Sequence, residues 1–194
     1  PQQGVLGFTE DGYELATMDL NDVQSMLILG EPNYGKTNTI EVMVENALGR
    51  QDNANNLREP FGVVVTHWGP DPYAPGPRWA DAFKANNQRQ SVERLCRMGI
   101  MPRGIRPTRG IVYVPPMRKF IGHETLRTQL GPGVFLGLDM RAPYLDEDTV
   151  MTLFSASLTI LSQAGVVEKG PDGVEKERKI MKMLVLDEAH KLMK

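Results

Sequence analysis

Residues 30–37 read Gly-Glu-Pro-Asn-Tyr-Gly-Lys-Thr, a complete G-x-x-x-x-G-K-[ST] pattern, and its flanks constrain the fold as much as the loop does. Ahead of it lies the apolar run Ser25-Met26-Leu27-Ile28-Leu29, and behind it Asn38 to Leu48 has apolar residues at helical spacing. Such a loop binds phosphate with unpaired backbone N–H groups and the positive end of a helix dipole. It therefore needs a strand to deliver it and a helix N-terminus to receive the anion. The expectation is a strand at 25–29, a tight loop, and a helix whose stripe Ile40, Met43, Val44, Ala47 and Leu48 faces a sheet. Glu41 and Glu45 fall on its outer side, and Gly49 marks its end.

This pattern assigns roles residue by residue. Gly30 and Gly35 permit the tight backbone path, while Glu31, Pro32, Asn33 and Tyr34 form the span between them. Pro32 stiffens the loop, and Tyr34 either shields it or stacks on a neighbour. Lys36 reaches the β- and γ-phosphates, Thr37 offers its hydroxyl to Mg²⁺, and Asn38 completes the nucleotide-contacting set. The implied cofactors are ATP and Mg²⁺.

A second apolar run, Met183-Leu184-Val185-Leu186, ends in Asp187-Glu188-Ala189-His190. Alone, it also describes a solvated turn after a core strand. Paired with an upstream phosphate loop, Asp187 becomes the metal-side carboxylate and Glu188 the base that polarises the attacking water. Both belong at the C-terminal end of a strand, where ligands bind in open α/β sheets. His190 either senses the γ-phosphate or simply starts a helix.

The 194 residues suffice for one α/β domain with a real core, and 41% hydrophobic with 24% charged residues is ordinary for a globular chain. A net charge of −2 supplies no whole-molecule attraction to nucleic acid, so any such contact needs a local basic face. The single cysteine, Cys96, excludes an intrachain disulfide framework and fits a reducing cytoplasm. No apolar run is long enough to cross a bilayer. The chain begins at Pro1 without methionine and stops seven residues after Asp187, so both ends read as cut. A sheet with the metal-binding strand in its interior continues through further strands, which makes 1–194 the front part of a single, larger ATPase domain.

Residues 1–24 read as a hairpin leading into the loop strand, with Asp11-Gly12 at its turn. Val63-Val64-Val65, Ile111-Val112-Tyr113-Val114 and Gly133 to Asp139 read as buried strands. Residues 68–110 form a loop and helix insertion, with a helix expected over Trp79 to Gln90. Asp146 or Asp148 caps the helix that runs to about Ala164, and 168–179 is a solvated loop or hairpin around Pro171-Asp172-Gly173. Strands alternating with helices predict a mostly parallel sheet covered on both faces. Arg89, Arg94, Arg97, Arg103, Arg106 and Arg109, followed by Arg118 and Lys119, form either a phosphate-contacting strip or a solvated surface. His67, Trp68 and His123 have no neighbouring Cys or Asp at metal-ligand spacing, so no zinc site is assigned.

Gly7-Phe8 through Asp19-Leu20, Leu27-Ile28-Leu29-Gly30 with Gly35-Lys36-Thr37-Asn38-Thr39, Gly133 to Asp139 with its long helix, and Leu184 to His190 resemble, in order, the HerA/FtsK group of motor ATPases. The resemblance implies a RecA-like fold, a homo-hexameric ring and ATP-driven movement along double-stranded DNA, with a nuclease or secretion partner in some members. Asn33-Tyr34-Gly35 replaces that group's usual Gly-Ser-Gly, and Thr66-His67-Trp68-Gly69 stands where an acidic Asp-Pro-His-Gly-Glu segment is common. Two other readings fit the same motifs. A type IV secretion-like protein-transport ATPase shares both, and a superfamily 2 DEAH-box helicase shares Gly-Lys-Thr with Asp-Glu-Ala-His, although about 150 residues between them is long for that class.

Overall fold

The structure, a computed structural model, describes residues 2–9, 11, 14–22, 25–31, 35–49, 57–67, 83, 89–97, 107, 109–113, 129–140 and 146–187. They form a mixed α/β arrangement around a four-stranded parallel sheet, with two small antiparallel pairs beside it. In chain order the central strands are β3 (Gly62–His67), β4 (Arg109–Tyr113), β5 (Val134–Asp139) and β8 (Lys182–Leu186). Their spatial order is β4-β5-β3-β8, so consecutive strands are joined by crossovers.

Strands β3 and β5 are buried along their whole length. That follows from their near-continuous apolar sequences, which have no side to offer water. The two-residue side-chain period divides them between two cores. Val63, Val65 and Phe135 face one way and meet Val44 and Ala47 of helix α1 (Lys36–Ala47) and its C-cap residue Leu48. Val64, Leu136 and Leu138 face the other way and meet Phe154 and Leu161 of helix α3 (Glu147–Gln163). Each face of the sheet is therefore covered by a helix. A third helix, α2 (Arg89–Arg97), lies in the stretch between β3 and β4.

The N-terminal hairpin pairs β1 (Gln3–Phe8) with β2 (Leu15–Asp19) and bulges between Val5 and Gly7. Asn46 of α1 holds that bulge: its amide oxygen accepts from Val5 N–H at 2.9 Å and its Nδ2 donates to the Val5 carbonyl at 2.6 Å. Gly4 makes the approach possible, since a Cβ there would stand 3.2 Å from both Asn46 Cβ and Leu20 Cδ1. Met18 and Leu20 then complete the core beneath α1. The hairpin expected over 1–24 is thus a cover for the helix that follows the phosphate loop.

Helix α3 starts at Asp146 rather than Asp148, with the Asp146 carboxylate accepting from Thr149 N–H at 2.8 Å. The charged stretch expected as loop or hairpin is a hairpin, β6 (Gly165–Lys169) with β7 (Glu175–Lys179), turning at Gly173 with φ 74°. Arg178 of β7 makes two 2.7 Å bonds to Glu59, in the segment leading into β3, and one of 2.8 Å to Glu168 within its own hairpin. Most of the helix expected over 79–90 lies outside the described residues. Phe83 within it sets its ring edge-on to Phe135, with centroids 4.9 Å apart.

Two expectations about the sheet are corrected. Residues 25–29 carry no strand, and Leu27 and Leu29 are 73% and 79% exposed. The metal-side strand β8 is an edge strand among the described residues rather than an interior one. The two corrections share a cause. A strand exists only where a neighbour completes its ladder, and the described sheet ends at β8 with no partner reaching 25–29.

Candidate functional site: the phosphate loop and the strand ends

Helix α1 is anchored at its C-terminal end, where Phe61 N–H donates to the Ala47 carbonyl at 2.7 Å, immediately before β3 begins. Gly49, at φ 80°, closes the helix as expected. Twelve residues of helix span about 18 Å, close to the roughly 20 Å covered by a six-residue strand. Helix α1 packs on β3 and β8, with its C-terminal end held at the start of β3.

At the N-terminus of α1, Gly35 adopts φ 85° and ψ 9°, the left-handed region open to glycine at little cost. Its carbonyl accepts the first helical bond from Thr39 N–H at 2.9 Å. Lys36 folds back across the loop, and its Nζ donates to the carbonyls of Gly30 at 2.8 Å and Glu31 at 2.7 Å. The ammonium thus sits between the two ends of the loop, on the side where Gly30 brings its backbone close to the lysine stem. Gly30, Glu31, Gly35, Lys36, Thr37 and Asn38 are all placed around this turn. Pro32, Asn33 and Tyr34 lie outside the described residues.

The carboxyl ends of the strands gather a second set of groups. Asp187 follows β8 directly and is buried. Its backbone N–H donates to the Thr66 carbonyl at 3.1 Å, and its Oδ2 lies 2.9 Å from Nδ1 of His67. The register of β3 on β5 sets His67 beside Asp139, which is also buried. Met140 N–H donates to the His67 carbonyl at 3.0 Å, extending the ladder past the end of β5. Three ionisable side chains thus sit at one end of the sheet, where α/β folds place their ligands. Glu188 and His190 lie outside the described residues.

Sequence spacing misses the pairing of His67 with Asp187, because 120 residues separate them. The usable signal is positional. His67, Asp139 and Asp187 each stand at the end of an apolar strand run, and parallel neighbours bring such ends together. The arginine strip is only partly described. Arg89 and Arg97 lie exposed on α2, with Arg89 bonded to Glu93 at 3.0 Å, and Arg109 donates to the Gln129 carbonyl at 2.9 Å.

Among the described residues, no group of three or more His, Cys, Asp or Glu is arranged to hold a metal ion. A Mg²⁺ carried by a nucleotide takes one or two protein oxygens and completes its shell from phosphates and water, so it does not require such a group. Thr37 and Asp187, the two residues expected to hold Mg²⁺, both lie among the described residues. No helix of the described residues is long and apolar enough to cross a membrane. No known protein family, curated protein or solved structure matches this chain.

Proposed function

We propose that this chain is the ATP-binding and hydrolysing part of a RecA-like motor, a HerA/FtsK-type translocase that works on double-stranded DNA as a homo-oligomeric ring. The observation that carries the nucleotide reading is the turn at Gly35. A left-handed glycine opens helix α1, and Lys36 bonds back onto Gly30 and Glu31 across the loop. A helix N-terminus with a lysine beside it is a known way to receive phosphate, and this geometry supports that reading. The parallel sheet, with Asp187 at the carboxyl end of β8, supports the same reading.

The residues divide the work as follows. Lys36 would exchange its two neutral carbonyl partners for anionic β- and γ-phosphate oxygens, so that both donor and acceptor carry charge. Backbone N–H groups from Gly35 onward would bind the phosphates, and Thr37 and Asp187 would hold Mg²⁺. When bound, Mg²⁺ neutralises the phosphate charge that builds during transfer. Glu188 orients and polarises the water that attacks the γ-phosphate. Exposed arginines of the 89–109 stretch face the DNA backbone, and opening or closing of the ring interface converts hydrolysis into movement.

The test is steady-state Mg-ATP turnover by the chain with and without long double-stranded DNA. Stimulation by DNA that fades as salt is added is the expected result, because counterion release makes backbone contacts salt-sensitive. Turnover indifferent to DNA would overturn the DNA cargo and favour a protein-transport ATPase.

A further inference from the structure

Strand β3 grips Asp187 at two points. The Thr66 carbonyl holds its backbone N–H, and His67 meets its side chain. Both side chains are close to nine-tenths buried, at 10% and 11% exposure. An ionised carboxylate has only acceptors, so at 2.9 Å the His67 Nδ1 must carry the proton and donate. That bond removes the carboxylate's freedom to rotate about its Cβ–Cγ axis.

Stability alone gives little reason for the pair. The ladder from Gly62↔Lys182 to Thr66↔Leu186 already joins β3 to β8, and the pair forms one residue beyond its last rung. Burying two polar side chains there costs desolvation that an apolar pair would avoid. The backbone that carries the imidazole is itself held, since the His67 carbonyl accepts from Met140 and its strand is flanked by β5 and β8, and the side chain is only 10% exposed. A rigid donor aimed at one oxygen of a carboxylate is what orients a metal ligand from its second shell.

We propose that His67 is a positioning residue for Asp187, its Nδ1–H holding Oδ2 so that the carboxylate presents one fixed orientation to the Mg²⁺ of a bound nucleotide. This rests on the reading of Asp187 as the metal-side carboxylate, and it assigns a role to the segment in which Thr66-His67-Trp68-Gly69 replaces an acidic sequence.

The experiment uses Mn²⁺ as a paramagnetic probe, titrated into the chain saturated with a non-hydrolysable ATP analogue. Nucleotide affinity in EDTA is measured in parallel, and circular dichroism checks folding. His67→Ala should weaken Mn²⁺ binding about 10- to 100-fold and leave metal-free nucleotide affinity unchanged. His67→Asn, whose amide N–H branches from Cγ as Nδ1 does, should restore Mn²⁺ affinity to within a few-fold of the wild type. His67→Gln, whose amide reaches the Nε2 position instead, should not restore it. The Asn and Gln pair decides the matter even if the Ala variant does not fold. Equal Mn²⁺ affinity in the Asn and Gln variants would overturn the positioning role. Asp187→Asn separates the two levels: if it weakens Mn²⁺ binding while the His67 variants do not, the metal-side reading stands and His67 is excluded. If Asp187→Asn binds Mn²⁺ like the wild type, both fall.

Discussion

Asn46 shows how one side chain can fix the approach of two elements. It is fully buried in the middle of an apolar cluster, and it spends its amide on both backbone groups of Val5. Replacing it by leucine strands a buried N–H and a buried carbonyl, each costing about 1–3 kcal/mol. Asn46→Leu should therefore lose about 2–4 kcal/mol in urea unfolding, and a loss under about 0.5 kcal/mol would mean that water or another group satisfies Val5. The helical stripe of α1 was legible in the sequence because period alone reveals it. Asn46 was not, since a polar residue beside that stripe reads as surface until the bulge at Val5 is known. His67 was hidden for a similar reason: its partner comes from the far end of the chain.

Elements here are held by a few charged contacts at their ends. Glu59 is kept below the ordinary carboxyl range chiefly by its hydrogen bonds to Arg178. Asp146 is likewise lowered, first by the Thr149 hydroxyl and then by the Thr149 backbone N–H. A carboxyl held lower in the folded chain than in the unfolded one adds stability above its unfolded value, and that stability is lost as pH falls through its folded value. The thermal midpoint should thus fall as pH drops below about 4.5. Glu59→Gln should lower the midpoint at neutral pH and flatten part of that acid limb. An acid limb unchanged in the variant would show that the hairpin β6–β7 is not tied down by this pair. The hairpin itself was half-legible: Pro171-Asp172-Gly173 announces the turn, but highly charged strands carry no apolar alternation to separate them from a loop. The start of α3 was legible only as a choice, because Asp146 and Asp148 have equal capping chemistry until Thr149 selects between them.

At the scale of the molecule, two cores on opposite faces of a parallel sheet carry the fold, and the segment leading into the phosphate loop lies outside both. Leu27→Ser with Leu29→Ser should each change unfolding free energy by no more than about 0.5 kcal/mol, whereas Leu161→Ala, at a fully buried site, should cost about 2–5 kcal/mol. Urea unfolding compares them directly, and a large loss from the serine pair would place 25–29 in the core after all. The apolar run at 25–29 looks like a strand because composition cannot say whether a neighbour exists to pair with it. Buried strands β3 and β5 were legible from their unbroken apolar runs, and their spatial order was not, since crossovers leave no local trace. The claim on which the rest depends is that Gly35 and Lys36 form a nucleotide site. It is tested most directly by equilibrium binding of a fluorescent ATP analogue, with Mg²⁺, to the wild-type chain, Lys36→Ala and Glu188→Gln. The expected result is saturable binding by the wild type, binding retained by Glu188→Gln with turnover abolished, and binding weakened at least tenfold, about 1.4 kcal/mol, in Lys36→Ala. Equal affinity in Lys36→Ala, with all three proteins folded, would contradict it.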